Sequence, residues 1–196
     1  MNVASGPPLV VVIAGPKGAG KSTEAPELLR HALRVQEFVN ADPIALGLSG
    51  LHPERAALAA GRVMLARLKT LARLRADFAF ETTLASRTFA PWLDELRASG
   101  YRAHLVFLSL PSAELALQRV AERVRMGGHD VPAEVVRRRF TAGLKSFFSI
   151  YRQRVDSWQM YDRSGLTHRL IASGRAGGTV IVEDQRSWTD LLEKSR

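Results

Sequence analysis

The sequence predicts an α/β fold in which a mostly parallel central sheet lies between layers of helices. Three observations predict it. Leu9-Val10-Val11-Val12-Ile13 is a buried strand by composition. It runs into the Gly-rich stretch Gly15-Pro16-Lys17-Gly18-Ala19-Gly20-Lys21-Ser22 and then into an amphipathic run from Ser22 to Arg34. Beyond these, short apolar strands alternate with helical stretches, the pattern of parallel strands joined by crossover helices.

The elements follow in order. Strand 1 is expected at about 9–14, and helix 1 from Ser22. Pro26 removes a backbone donor early in that helix and should distort its first turns. Glu37-Phe38-Val39-Asn40 reads as a short second strand, and 41–50 as a short helix and turn. Pro53 opens a long helix to about Arg75, with Ala57, Leu58, Leu65, Leu68, Leu71 and Leu74 at helical spacing. Asp77-Phe78-Ala79-Phe80-Glu81 is a third strand ending on a carboxylate. Arg87 to Ser99 is a helix stopped by Gly100. His104 to Leu110 is a strongly apolar fourth strand, and Pro111-Ser112 caps a helix to about Arg125. Met126 to Val131, with Gly127-Gly128, reads as a flexible loop. Pro132 opens a helix to about Arg154. Trp158 to Asp162, Leu166 to Ala172 and Thr179 to Val182 read as strands, and Ser187 to Lys194 as a last helix.

At 196 residues the chain is long enough to bury a sizeable core. It reads as a single domain, 1–196, with a lid around 119–139 and no repeat or linker. It has no Cys, which excludes disulfides and thiolate metal sites. No signal peptide and no membrane-length apolar stretch is visible, so a cytoplasmic protein that avoids membranes is expected. The 28 basic residues outnumber the 19 acidic ones, giving a net charge of +9. The five Lys are Lys17, Lys21, Lys69, Lys145 and Lys194; the other basic residues are Arg. Such a surface can bind nucleic acid, polyanionic small molecules or an acidic protein. No nucleic-acid motif or aromatic-basic interleaving accompanies it, so a solvated Arg-rich surface is the leading reading.

Residues 15–22 complete the spacing G-x-x-x-x-G-K-[ST] of a phosphate-binding loop, in the strand–loop–helix context it requires. Backbone N–H groups of Gly15, Pro16 to Ala19, Gly20, Lys21, Ser22 and Thr23 would surround a nucleotide's phosphates (Pro16 lacking a donor of its own). Lys21 would reach the β- and γ-oxygens, and the Ser22 hydroxyl would ligate Mg²⁺. The expected ligands are therefore ATP and Mg²⁺. ATP is preferred to GTP because no Asn/Thr-Lys-x-Asp guanine-reading segment is present.

Three further elements should converge there. Asp42 follows the second strand and is either the group that orients or deprotonates an acceptor hydroxyl or the N-cap of the next helix. Glu81 closes an apolar strand, as a carboxylate that holds Mg²⁺ does. It is alternatively a contact to the acceptor's hydroxyls, or an exposed loop acid. Ser22, Asp42 and Glu81 are the expected metal set. Asn40, Asp42, Glu81, Thr82, Thr83 and Arg139 are the expected acceptor contacts. The third element is Arg119, Arg123, Arg125, Gly127-Gly128-His129 and Arg137-Arg138-Arg139. Arg donors on a mobile lid would stabilise the charge of a transferring phosphoryl group, with Arg123 and Arg125 first. Singly, each is an ordinary solvated helix residue. His31, His52, His104 and His168 lack metal spacing and read as structural. Trp92, Trp158 and Trp188 read as packing residues.

The phosphate loop, Phe38-Val39-Asn40-Ala41-Asp42, Phe80-Glu81-Thr82-Thr83-Leu84 and Gly127-Gly128-His129-Asp130-Val131-Pro132 occur in that order. Over roughly residues 9–165 the ordered set resembles the zeta toxin family of P-loop kinases, in its chromosomal branch. The resemblance implies a three-layer P-loop NTPase fold of the nucleotide-kinase type. It implies transfer of the γ-phosphoryl of ATP, with Mg²⁺, to a sugar hydroxyl of UDP-N-acetylglucosamine. It also implies an antitoxin partner that blocks the nucleotide site. Lys21 and Ser22 take the phosphate and metal roles, Asp42 the catalytic base, Glu81 the acceptor-site acid and Arg123 the first lid arginine. The chain departs from the family at three points. A second lid arginine would fall near His129, Arg163 stands where the branch has Asn, and the chain is shorter than the well-studied toxins. Two other functions remain beside this one: a metabolic kinase of gluconate or shikimate type, and a nucleotide-dependent binding protein.

Overall fold

The computed structural model describes residues 6–127, 131–165 and 167–196. Seven strands form one sheet in the order β2-β3-β1-β4-β5-β6-β7. They are β1 (Leu9–Ala14), β2 (Glu37–Val39), β3 (Phe78–Thr82), β4 (Arg102–Ser109), β5 (Ser157–Asp162), β6 (Arg169–Arg175) and β7 (Ile181–Val182). The first five are mutually parallel; β6 and β7 add antiparallel at one side. The helices are α1 (Lys21–Glu27), α2 (Ala41–Leu48), α3 (Pro53–Arg73), α4 (Phe89–Ala98), α5 (Ala113–Arg125), α6 (Ala133–Ser149) and α7 (Gln185–Lys194). The α/β fold and mostly parallel sheet agree with the sequence.

The central strands are apolar on both sides because both faces are covered. Val10, Val11, Val12 and Ile13 are all buried. Phe78 and Phe80 pack against Trp92 of α4. Phe107 meets Phe147 of α6, and Trp158 stacks on Trp188 of α7 with centroids 5.9 Å apart. On the other face Ile13, Val106, Leu108 and Tyr161 join Ala25 and Leu28 in lining a cavity of about 340 Å³ beside α1. The expected packing roles of the tryptophans hold, and His104 is tied to Ser157 Oγ at 2.8 Å.

Several boundaries move, each for a local reason. Helix 1 stops at Glu27 and continues as a π-helical turn over Leu28–Leu33, so the Pro26 disturbance falls one turn later than its position suggests. Arg30 Nε donates to the Pro26 carbonyl at 3.1 Å, and Arg34 ends the turn in the left-handed region. In α3 the buried stripe is Ala60, Met64, Leu68 and Leu71. Leu58 and Leu74 are instead 73% and 70% exposed. The helix expected to run to Arg154 ends at Ser149, followed by a 3₁₀ turn at Tyr151–Gln153. The sixth strand is described from Arg169; Leu166, where the sequence places its start, lies outside the described residues, and Ser164 N–H donates to Asp162 Oδ1 at 2.8 Å in the turn after β5. Gly143 of α6 lies against the backbone after β3; a Cβ there would stand 2.2 Å from the Thr83 carbonyl oxygen.

The sheet order creates the crevice. From β1 the chain crosses to β2 and returns through β3, then leaves on the other side through β4. The carboxyl ends of β1, β2 and β3 therefore share one side of this switch point, where α/β sheets bind ligands. No helix of the described residues is long and apolar enough to cross a membrane.

Candidate functional site

The loop after β1 takes a conformation that its glycines permit. Gly15, Gly18 and Gly20 all take positive φ. A Cβ on Gly15 would stand 2.1 Å from the Leu108 carbonyl oxygen, so only glycine lets β1 turn this close to β4. Thr23 N–H returns to the Gly20 carbonyl at 3.1 Å, opening α1 directly under the loop. Lys21 is only 5% exposed, and its Nζ donates to the Pro16 carbonyl at 2.9 Å. Burial pushes the Lys21 ammonium below the usual lysine range, while Glu81 opposes that shift.

Glu81 and Ser22 meet at this point. The Ser22 hydroxyl donates to Glu81 Oε2 at 2.7 Å, and Lys21 Nζ stands 3.5 Å from Glu81 Oε1. Asn40 Nδ2 donates to the same Oε2 at 2.7 Å and to Ser22 Oγ at 3.2 Å. The ends of β2 and β3 and the start of α1 thus converge on one carboxylate. Glu81 is far from an exposed loop acid, with a side chain 11% exposed.

Asn40 also settles the cap. Its Oδ1 accepts from Asp42 N–H at 2.9 Å, making Asn40 the N-cap of α2. Asp42 is therefore released from the capping role the sequence left open. Its Oδ2 accepts from Lys17 Nζ of the phosphate loop at 2.8 Å. Burial works to raise the Asp42 carboxyl, but the Lys17 charge and hydrogen bond outweigh it. With smaller help from Lys21 and Arg123, they hold it below the usual carboxylate range.

Of the three residues in the expected metal set, the structure joins Ser22 and Glu81 directly and pairs Asp42 with Lys17. Thr82 and Thr83 sit beside Glu81, yet their hydroxyls accept from the following backbone, Leu84 N–H at 3.1 Å and Ala85 N–H at 3.5 Å. Among the described residues no cluster of three His or acidic groups forms a ready-made metal cage.

The arginines divide. Arg119 Nη1 donates to the Gly18 carbonyl at 3.3 Å and Nη2 to the Ser164 carbonyl at 2.9 Å, clasping the phosphate loop to the turn after β5. Arg123 is exposed on α5, but its charge is felt at Asp42. Arg125 is exposed and Arg139 half-buried, and neither makes a hydrogen bond or ion pair to the phosphate loop among the described residues. Arg137 reaches back to Glu114 at 3.7 Å. The centre of the expected lid, Gly128-His129-Asp130, lies outside the described residues.

A family model described as an AAA domain (AAA_33) matches residues 10–149. The chain belongs to that family. A protein of Haemophilus influenzae described as uncharacterized is 26% identical over 132 residues, covering 66% of this chain and 91% of that protein. A crystal structure of AvrRxo1-ORF1:AvrRxo1-ORF2 with sulphate ions has a TM-score of 0.74 at 16% identity, over 97% of this chain. The AvrRxo1 structure with ATP gives 0.72 at 17% identity, over 98% of this chain. This chain spans 65% of the length of each of those chains. The PezAT toxin-antitoxin system of Streptococcus pneumoniae gives 0.64 at 14% identity, over 98% of this chain and 86% of that one. At these identities the likeness is one of fold, and the fold is the kinase-like P-loop fold.

Three features of this AAA domain site were hidden or only partly visible in the sequence. The Lys17–Asp42 pair joins a loop position that the motif leaves free to a residue 25 positions away. Arg163 was visible only as a departure from the zeta pattern. It proves 8% exposed, with Nη2 3.3 Å from where a Cβ on Gly20 would lie. Arg119 was visible only as one of a cluster, because nothing in its spacing marks the carbonyls it reaches.

Proposed function

We propose that this protein is an ATP-dependent small-molecule kinase of zeta-toxin type, transferring the γ-phosphoryl of ATP to a hydroxyl group. The observation that carries the reading is the Asp42 carboxylate, freed from helix capping and held at the phosphate loop by Lys17. A carboxylate there meets a hydroxyl at the end of the nucleotide where transfer occurs.

The donor groups fit the ligands. The loop backbone and buried Lys21 suit a polyphosphate, and the Ser22 hydroxyl with Glu81 offers the hard oxygen ligands Mg²⁺ prefers. Bound there, Mg²⁺ supplies charge neutralisation across the phosphates. This favours a metal role for Glu81 over the acceptor role that the resemblance implies. Asn40 orients Glu81 and Ser22 and caps α2, which sets the direction of Asp42. Asp42 accepts the proton of the attacking hydroxyl, and its lowered pKa keeps it ionised at neutral pH. Arg119 braces the loop, and Arg123 adds positive charge near Asp42.

UDP-N-acetylglucosamine is the first acceptor we assign, on the motif order alone. A gluconokinase of Sinorhizobium meliloti has a TM-score of 0.52 over 96% of this chain, which keeps a metabolic sugar-acid kinase as the second reading. An antitoxin-like partner covering the nucleotide site belongs to the first reading; the AvrRxo1-ORF1:-ORF2 structures are themselves complexes.

The test is product analysis by mass spectrometry. Protein, ATP and Mg²⁺ are incubated with nucleotide sugars, sugars and sugar acids, beside Asp42→Asn. One added phosphate on UDP-N-acetylglucosamine, absent with Asp42→Asn, supports the toxin-type kinase. The same gain on gluconate supports the second reading. Phosphorylation retained by Asp42→Asn removes Asp42 as the base.

A further inference from the structure

The phosphate loop carries two lysines. The motif explains Lys21. It leaves position 17 free, yet Lys17 is the loop residue whose side chain reaches the acceptor side of the site. Its Nζ lies 2.8 Å from Asp42 Oδ2, and its side chain is 15% exposed against 43% for Asp42. Its charge is also felt at Lys21, on which it presses in the direction opposite to Glu81. One ammonium thus touches the group assigned to the acceptor and acts electrostatically on the group assigned to the donor phosphates.

The arginines of α5 are less well placed to exchange Asp42 for a phosphate. Arg119 is committed to two backbone carbonyls. Arg125 is exposed at the end of α5, and Arg123 is the weakest of the named charges acting on Asp42. A lysine is a compact charge on a flexible stem that can exchange one anion for another by rotating. The terminal phosphate of ATP carries more negative charge than one carboxylate, so it competes for Lys17.

We propose that Lys17 is a catalytic cation for the transferring phosphoryl group. Bound ATP draws its ammonium from Asp42 onto the γ-phosphate oxygens, and Asp42, losing that partner, turns to the acceptor hydroxyl. The proposal rests on the kinase reading above. In the step, the acceptor oxygen forms a bond to the γ-phosphorus and the bond from that phosphorus to the β,γ-bridging oxygen breaks. ADP leaves with the electron pair, and the hydroxyl proton passes to Asp42. Lys17 remains protonated throughout, and no further reactant is consumed. The pairing with Asp42 serves a second purpose: without a γ-phosphate the base stays occupied, which suppresses unproductive chemistry.

Calorimetry of wild type, Lys17→Met and Lys17→Arg with ADP and with the β,γ-imido analogue of ATP, both with Mg²⁺, tests this without knowledge of the acceptor. Wild type should bind the triphosphate more tightly than ADP. Lys17→Met should lose about tenfold or more of that preference while ADP affinity changes little, and Lys17→Arg should keep it. A preference that survives in Lys17→Met overturns the proposal while leaving the kinase reading intact. Wild-type protein that binds neither nucleotide overturns the kinase reading itself. Lys17→Gln, with melting followed by circular dichroism, replaces Lys17→Met if that variant does not fold. Once an acceptor is known, pH profiles give a second readout. In wild type the acid limb of kcat/KM for ATP, where Lys17 still holds Asp42, should lie below that of kcat. In Lys17→Met the two limbs should coincide; limbs that stay apart overturn the exchange.

Discussion

The Ser22 hydroxyl and the Glu81 carboxylate share a 2.7 Å hydrogen bond across 59 residues of sequence. It joins the first turn of α1 to the end of β3, so the positions of these two oxygens, the proposed Mg²⁺ ligands, are set by the register of β1 against β3. Glu81→Gln keeps the shape and removes the charge. We expect Glu81→Gln to raise the Mg²⁺ concentration for half-maximal turnover by about 10–100-fold, with nucleotide binding in the absence of metal little changed. Metal titration of the initial rate checks it; an unchanged Mg²⁺ dependence removes Glu81 from the metal site.

Lys21 and Glu81 form a pair whose side chains are 5% and 11% exposed. Lys21→Met removes the charged donor proposed to reach the phosphates and leaves Glu81 with its Ser22 and Asn40 partners. The fold should persist, while ATP affinity falls by more than about tenfold. Equilibrium titration with a fluorescent ATP analogue, beside a thermal melt, separates this from simple unfolding.

Gly143 holds α6 against the backbone after β3. Gly143→Ala places a methyl group 2.2 Å from the Thr83 carbonyl oxygen, a contact neither backbone can relieve by rotating a side chain. We expect a loss of about 1–3 kcal/mol in unfolding free energy. Denaturant unfolding measures it. Gly61, on the open side of α3 with nothing within 4 Å of an added Cβ, is the control. Gly61→Ala should be neutral or slightly stabilising.

His104 sits on β4 opposite Ser157 of β5, where burial pushes its imidazole below the usual histidine value. A group that is harder to protonate folded than unfolded costs stability as pH falls. Its contribution is fully present above the unfolded pKa of about 6.5 and is lost as pH falls from there through the lower folded value. Melting temperature should therefore drop on acidification below about pH 6.5, and His104→Asn should flatten that drop. An identical pH dependence in the variant assigns the acid sensitivity elsewhere.

The residues legible in advance were those whose role depends on short spacing. The phosphate loop declares itself because its glycines, lysine and serine lie within eight positions. Glu81 is legible because an apolar strand ends on it. Asp42 was ambiguous, since an acid before Pro43 suits a helix start; the ambiguity closes only when the Asn40 side-chain oxygen is seen to accept from Asp42 N–H at that start. Lys17, Arg119 and Arg163 were hidden because their partners come from distant elements. The helix periodicity misassigned Leu58 and Leu74 because leucine at the right spacing does not reveal which flank of a helix meets the sheet. Pro26 announced a disturbance but not its form, since a missing N–H can be absorbed by a kink or by a wider turn.

The two borders of the sheet differ in pairing, parallel at β2 and antiparallel at β7, but share one property. β2 contributes three residues and β7 only two. On the β2 side, Glu37 is also engaged by Arg67 at 2.8 Å. A strand this short presents too few free N–H and C=O groups to recruit a strand from another molecule. The protein should therefore withstand concentration without edge-to-edge fibril growth, even though its inner strands are as apolar as those of an aggregating peptide.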